Sequence, residues 1–148
     1  MKVAIGCDHG AYSYKEEIKA MLKEEGYEVE DCGTYSTESC DYPDYAYAVA
    51  QKIVNKEADR GILICGTGIG ISIAANKVKG IRCGLCADST MARLTREHND
   101  ANILAMGQRT MGIEVCKDTV NTFLTTDFSH GPRHERRIQK IKEIEDKQ

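Results

Sequence analysis

Gly61-Ile62-Leu63-Ile64-Cys65-Gly66-Thr67-Gly68-Ile69-Gly70-Ile71-Ser72 is the stretch whose reading decides the fold. Gly61 to Cys65 is an apolar run too short for a typical helix, which reads as a buried strand. Three glycines follow within five residues, and Ile71 to Lys77 then reads as the start of a helix. A strand that turns through glycines into a helix is half of a βαβ unit, and the same alternation extends outward in both directions. Further strands are expected at Lys2 to Gly6, Tyr27 to Asp31, Arg82 to Cys86 and Asn102 to Met106. Between them, Tyr14, Ile18, Met21 and Leu22 form one helical stripe, closed by Gly26, and Ala46, Val49, Ala50, Ile53 and Val54 form another. Helices are also expected at Ser89 to Asn99, with Ser89 as N-cap, at Thr110 to Leu124, and from about Glu135 to the end. Thr125 to Pro132 reads as an irregular loop. The pattern predicts a three-layer α/β/α sandwich on a Rossmann-like, five-stranded parallel sheet, in one domain spanning residues 1–148.

Composition narrows the function. Of 148 residues, 41% are hydrophobic, enough to fill one core, and a net charge of −3 gives no basic field for nucleic acid. No apolar stretch approaches the roughly 20 residues that span a bilayer, and the N-terminus enters its first strand directly. The expectation is a soluble, cytoplasmic protein without nucleic-acid or membrane partners. Seven cysteines then read as reduced thiols rather than a disulfide framework. Cys83 and Cys86 have redox or zinc spacing, but three residues apart on a strand they point to opposite faces, and no second pair follows.

In sheets of this kind ligands bind outside the carboxyl ends of the strands. Three such ends carry unusual residues: Cys7-Asp8-His9-Gly10, Cys65 through Gly70, and Gly107-Gln108-Arg109. The glycine turn lets backbone N–H groups converge on an anion at the positive end of a helix. A dinucleotide fingerprint and a Walker loop both fail on spacing, because Ile71 stands where the third glycine belongs and no Gly-Lys-Ser/Thr closes the loop. A cysteine phosphatase would want an arginine at that same position. What remains is Cys65 at the lip of an amide-lined hollow, where a thiolate is favoured and can remove a proton. Cys65 alone also fits a small buried apolar residue. Asp8 also fits an N-cap for a helix beginning near Ala11, and Arg133 to Arg137 also fits a solvated helix face. His98-Asn99-Asp100, at the end of the fourth helix, is expected to bring an imidazole and an amide to the same rim of the sheet as Cys65. Together, a thiol, imidazoles, a carboxylate, an amide loop and arginines make the set that sugar-phosphate proton transfer requires.

Gly6-Cys7-Asp8-His9, Asp41-Tyr42-Pro43, Cys65 through Gly70 running on into Ile73-Ala74-Ala75-Asn76-Lys77, Arg96-Glu97-His98-Asn99-Asp100, and Arg133-His134 with Arg137 resemble the type B ribose-5-phosphate isomerases and their allose- and galactose-6-phosphate relatives. The resemblance spans nearly the whole chain. It implies a homodimer with active sites between subunits, in some members paired into tetramers, acting on a sugar phosphate without metal or other cofactor. It further implies that Cys65 moves the proton between C2 and C1, supported by Thr67, while the amides of Gly66, Thr67, Gly68, Ile69 and Gly70 hold the enediolate oxygen. His98 with Asp8 would open the ring, Asn99 and Tyr42 would contact the sugar, and His9, Arg109, Arg133 and Arg137 would bind phosphate. One branch of the family uses a glutamate at the position of Ile71, so this chain resembles the cysteine branch. Two other readings of the same residues are a non-catalytic sugar-phosphate sensor and thiol redox chemistry between Cys65 and Cys7.

Overall fold

A computed structural model describes residues 1–148. Strands β1 (Lys2–Cys7), β2 (Glu28–Asp31), β3 (Arg60–Cys65), β4 (Cys83–Leu85) and β5 (Ile103–Gly107) alternate with helices α1 (Tyr12–Glu24), α2 (Tyr42–Val54), α3 (Ile69–Ala75), α4 (Ser89–Asn99), α5 (Ile113–Thr125) and α6 (Pro132–Asp146). The strands form one parallel sheet in the order β2-β1-β3-β5-β4. Central strands of a sheet covered on both faces need apolar residues at nearly every position, and β1, β3 and β5 have them.

Strand alternation divides the core in two. Val3, Ile5, Cys7, Ile62, Ile64, Leu104 and Met106 face one way, against Ile18 and Leu22 of α1, Ala92 of α4 and Val120 and Phe123 of α5. Ala4, Leu63, Cys65, Ile103 and Ala105 face the other way, against Val49 and Ala50 of α2 and Ile71 of α3. The expected three layers are therefore present. Cys83 packs with the second cluster and Cys86 with the first, on opposite faces as their spacing requires. Burial pushes the Cys86 thiol up to about 12 and raises that of Cys83 as well. All seven cysteines are free.

Several element ends differ from expectation. The side chain that caps α4 is Asp88, accepting from Met91 N–H at 2.8 Å, and Ser89 is the first helical residue. Helix α3 starts at Ile69 rather than Ile71, because Gly68 in the left-handed region already turns the chain. Helix α5 starts at Ile113 rather than Thr110, since a turn closed by Met111 N–H on Gly107 C=O comes first. Helix α6 starts at Pro132, whose fixed φ suits a first helical position, rather than at Glu135. No helix is long and apolar enough to cross a membrane.

The loop after β2 is anchored by a buried ion pair. Lys15 is fully buried, and its Nζ donates to both Asp31 carboxylate oxygens (2.8 and 2.9 Å) and to the Thr34 carbonyl. Asp31 also accepts from Lys19 Nζ and Gly33 N–H. Burial would raise its carboxyl, but these donors outweigh that cost and hold it below the usual carboxylate range.

Candidate active site

The chain order makes β1 and β3 the neighbours between which the sheet changes direction, since β2 lies beyond β1 while β5 and β4 lie beyond β3. A crevice opens at the carboxyl ends of such a pair. There, Asp8, His9, Gly10, Tyr42, Cys65, Gly66, Thr67, Gly70 and Arg109 line a hollow of about 240 Å³.

Each side chain reaches it for a local reason. Cys65 ends β3, only 5% exposed, and its sulfur accepts the Gly68 N–H at 3.1 Å, so the turn wraps the thiol with an amide. Thr67 Oγ1 accepts from Ile69 N–H at 3.2 Å and braces the same turn; the thiol's hydrogen-bond partner is Gly68, not Thr67. Asp8 caps a short 3-10 turn (His9–Ala11) by accepting from Gly10 N–H at 2.9 Å, the capping expected of it. His9 Nδ1 accepts the Cys40 N–H at 3.1 Å, which leaves Nε2 as the nitrogen that carries the proton of the neutral ring. The Arg109 side chain lies over Gly66, so a Cβ there would stand 3.4 Å from its Cδ. Tyr42 lays its ring on Gly70, where a Cβ would stand 2.7 Å from the ring.

Burial outweighs the Lys15 charge and the Thr34 N–H and pushes Cys7 up to about 12, and it pushes Cys32 and Cys116 up to about 11. Cys7 points to the opposite sheet face from Cys65, so it is not placed to resolve a disulfide with it.

His98 is not on this rim. Helix α4 returns from the carboxyl end of β4 to the amino end of β5, so His98, Asn99 and Asp100 stand at the opposite edge of the sheet, where Arg82, just before β4, donates to Asn99 C=O (2.8 Å) and Asp100 C=O. The length of a five-residue strand, about 17 Å, separates the two edges. His98 and Asn99 line a separate hollow of about 440 Å³ with Arg133, His134, Arg137, Ile138 and Ile141. Arg133 and Arg137, one helical turn apart on α6, share that face as expected, whereas Arg136 does not line it. The candidate residues therefore fall into two sets within one chain, and Asp8 does not meet His98.

His134 completes this second set. Its ring packs 4.4 Å from that of His98, and its Nδ1 lies 2.6 Å from Ser129 Oγ. Partial desolvation, then the His98, Arg133 and Arg137 charges, hold its imidazole below the usual range. The spacing Arg133-His134 to Arg137 on a helix was the available signal.

A thiol in a glycine-rich amide turn at the switch point of a parallel sheet, beside the Arg109 guanidinium, fits an α/β enzyme that handles a small anionic ligand. The known proteins narrow that class. Residues 3–141 match the model of the Ribose/Galactose Isomerase family, and the chain belongs to that family. Ribose-5-phosphate isomerase B of Escherichia coli is 50% identical over 97% of this chain and 96% of its own. The structure of Clostridium thermocellum ribose-5-phosphate isomerase B superposes with a TM-score of 0.97 at 56% identity, covering 99% of each chain. That of Mycoplasma genitalium ribose-5-phosphate isomerase B with bound ribulose-5-phosphate does so with a TM-score of 0.93 at 40% identity, covering 99% and 97%.

Proposed function

We propose that this chain, as a single domain, interconverts ribose 5-phosphate and ribulose 5-phosphate through an enediolate, with Cys65 as the proton-transferring base. The observation that carries the mechanism is the Cys65 sulfur held 3.1 Å from the Gly68 N–H within the amide turn. The thiolate takes the proton from C2, the C–H electron pair forms the C1–C2 double bond, and the carbonyl electrons move to oxygen. The proton then returns to C1, the C2 hydroxyl proton passes to the C1 oxygen, and the ketose carbonyl forms at C2. A preorganised amide donor contributes about 2.7–4 kcal/mol toward such an oxyanion.

Ring opening falls to His98 and Asp8, sugar contacts to Asn99 and Tyr42, and the phosphate to His9, Arg109, Arg133 and Arg137. Those groups lie at opposite edges of one sheet, so the working site requires two copies: the Cys65 hollow of one and the His98 hollow of the other. The exposed apolar side chains Ile69 and Ile73 on α3, with Leu85 of β4 beside the turn at Gly68, support a dimer surface next to the amide turn. Seven free thiols are in keeping with a cytoplasmic home.

The test measures turnover of ribose 5-phosphate, allose 6-phosphate and galactose 6-phosphate by the wild type and Cys65→Ala, with phosphate binding followed by calorimetry. Ribose 5-phosphate should turn over best, and the alanine variant should lose about a hundredfold or more in kcat while still binding phosphate. A Cys65→Ala protein that keeps more than about a tenth of kcat is not missing its base. Wild-type binding without turnover of any of the three sugars would favour a sensor.

A further inference from the structure

Helix α1 begins without a cap of its own. Its N-cap position is Ala11, which has no side-chain acceptor to offer. The first turn of a helix leaves several N–H donors unpaired, and a partner from elsewhere must satisfy them where water does not. Here the partner comes from the turn just after β5: Gln108 Oε1 accepts from Tyr14 N–H at 3.2 Å and from Ser13 Oγ at 3.2 Å. Tyr14 reciprocates, its hydroxyl donating to Met111 C=O at 2.9 Å.

These bonds join the two arms that flank Gly66. On one side stands the His9–Ala11 turn that leads into α1, where a Cβ on Gly10 would stand 3.8 Å from Gly66 N. On the other stands Arg109, the residue after Gln108, stacked over Gly66. Gln108 and Arg109 are themselves fixed to the amide turn, through Gln108 N–H on Cys65 C=O (2.9 Å) and Arg109 N–H on Gly66 C=O (2.8 Å). The carboxamide of Gln108 thus spans from the Arg109 arm to the first turn of the helix carrying the His9 arm, and the Tyr14 hydroxyl ties the same helix to Met111 further along.

We propose that Gln108 is a positioning residue that sets the distance between His9 and Arg109, and so the geometry with which this half of the site grips a phosphate dianion. The inference rests on the phosphate-binding reading of His9 and Arg109. Gln108 touches no substrate; it acts through the start of α1 and through Arg109.

The test uses Gln108→Met, which keeps length and volume but removes the acceptor, with Ser13→Ala and the double variant. Wild type and variants are assayed on ribose 5-phosphate, and inorganic phosphate binding is measured by calorimetry. One neutral hydrogen bond corresponds to about fivefold. Gln108→Met should raise KM and the phosphate Kd by about fivefold, with kcat within about twofold and Tm lower by only a few degrees, the loss of one helix cap. Ser13→Ala should do the same more weakly, and the double variant should be no worse than Gln108→Met, because both remove one link. Unchanged KM and phosphate Kd, a loss confined to kcat, or fully additive losses in the double variant would each overturn the role of Gln108. A wild type that binds phosphate but turns over no ribose 5-phosphate would instead count against the proposed reaction, while the phosphate Kd series would still decide the role of Gln108.

Discussion

Gly68→Ala should damage the fold and the chemistry together. Gly68 has φ +79°, a region where an L side chain costs about 1–2 kcal/mol. A Cβ there would also stand 2.7 Å from Leu85 Cδ1 and 2.7 Å from the Met106 carbonyl carbon. Leu85 is a flexible side chain that turns aside, but the β5 backbone is pinned in the sheet, and such overpacking costs about 1–3 kcal/mol. The sum, about 2–5 kcal/mol, corresponds to a fall in Tm of about 5–20 °C for a chain of this size. Gly26 provides the control: its φ is +90°, yet nothing lies within 4 Å of its Cβ direction, so Gly26→Ala carries the strain without the clash. Relief of the clash at Gly68 moves its N–H away from the Cys65 sulfur, so turnover should drop by about tenfold or more even where the variant is folded. Calorimetric melts and initial rates on ribose 5-phosphate measure both effects. If Gly68→Ala melts together with Gly26→Ala and keeps its turnover, the packing of the amide turn against β5 is not what shapes the site.

Two further outcomes follow from the charges. Asp31→Asn leaves the fully buried Lys15 with only the partly exposed Glu16 carboxylate, 3.4 Å away, as counter-charge and should cost up to about 3 kcal/mol at pH 7. Because the folded Asp31 carboxyl titrates below its unfolded value, its contribution is complete above about pH 4 and is lost as pH falls through the folded value. Melting curves of the two proteins should therefore converge toward acid, and a gap that persists or widens there contradicts the ion pair. Arg137→Ala should lose roughly tenfold to a hundredfold in kcat/KM for ribose 5-phosphate, and Arg136→Ala far less, since Arg136 does not line the His98 hollow. An Arg137→Ala loss of the same size on an unphosphorylated aldose would mark a structural role instead.

The strands and helix stripes were legible because their signals are local: apolar runs of strand length, and Ile18 and Leu22 or Val49 and Ala50 at helical spacing. Cys65 and its glycine turn were legible because a strand, glycines and a helix in that order admit few uses. Helix ends were less so, since Asp88 and Ser89 are both good caps and only the three-dimensional reach to Met91 N–H selects Asp88. The place of His98 on the opposite edge from Cys65 follows from chain direction alone. A helix between two parallel strands must end at the amino edge of the second, and α4 does. The order β2-β1-β3-β5-β4 was not legible, because β4 and β5 carry no residue that states which lies at the edge. Nor were contacts between distant segments, such as Gln108 with Tyr14 or Asn76 pairing its amide with both backbone groups of Cys83 at the sheet edge.

The division of the site between two sheet edges yields the most direct test. Under the proposed two-chain site, Cys65→Ala and His98→Asn should each lose turnover alone; the two are unfolded together in equal amounts, refolded and assayed on ribose 5-phosphate. Random pairing makes half the dimers mixed, and each mixed dimer holds one site with both defects and one with none, so activity should return to about a quarter of wild type. A mixture that stays as inactive as its parents, although mixed dimers have formed, would mean that Cys65 and His98 do not serve one site across two chains.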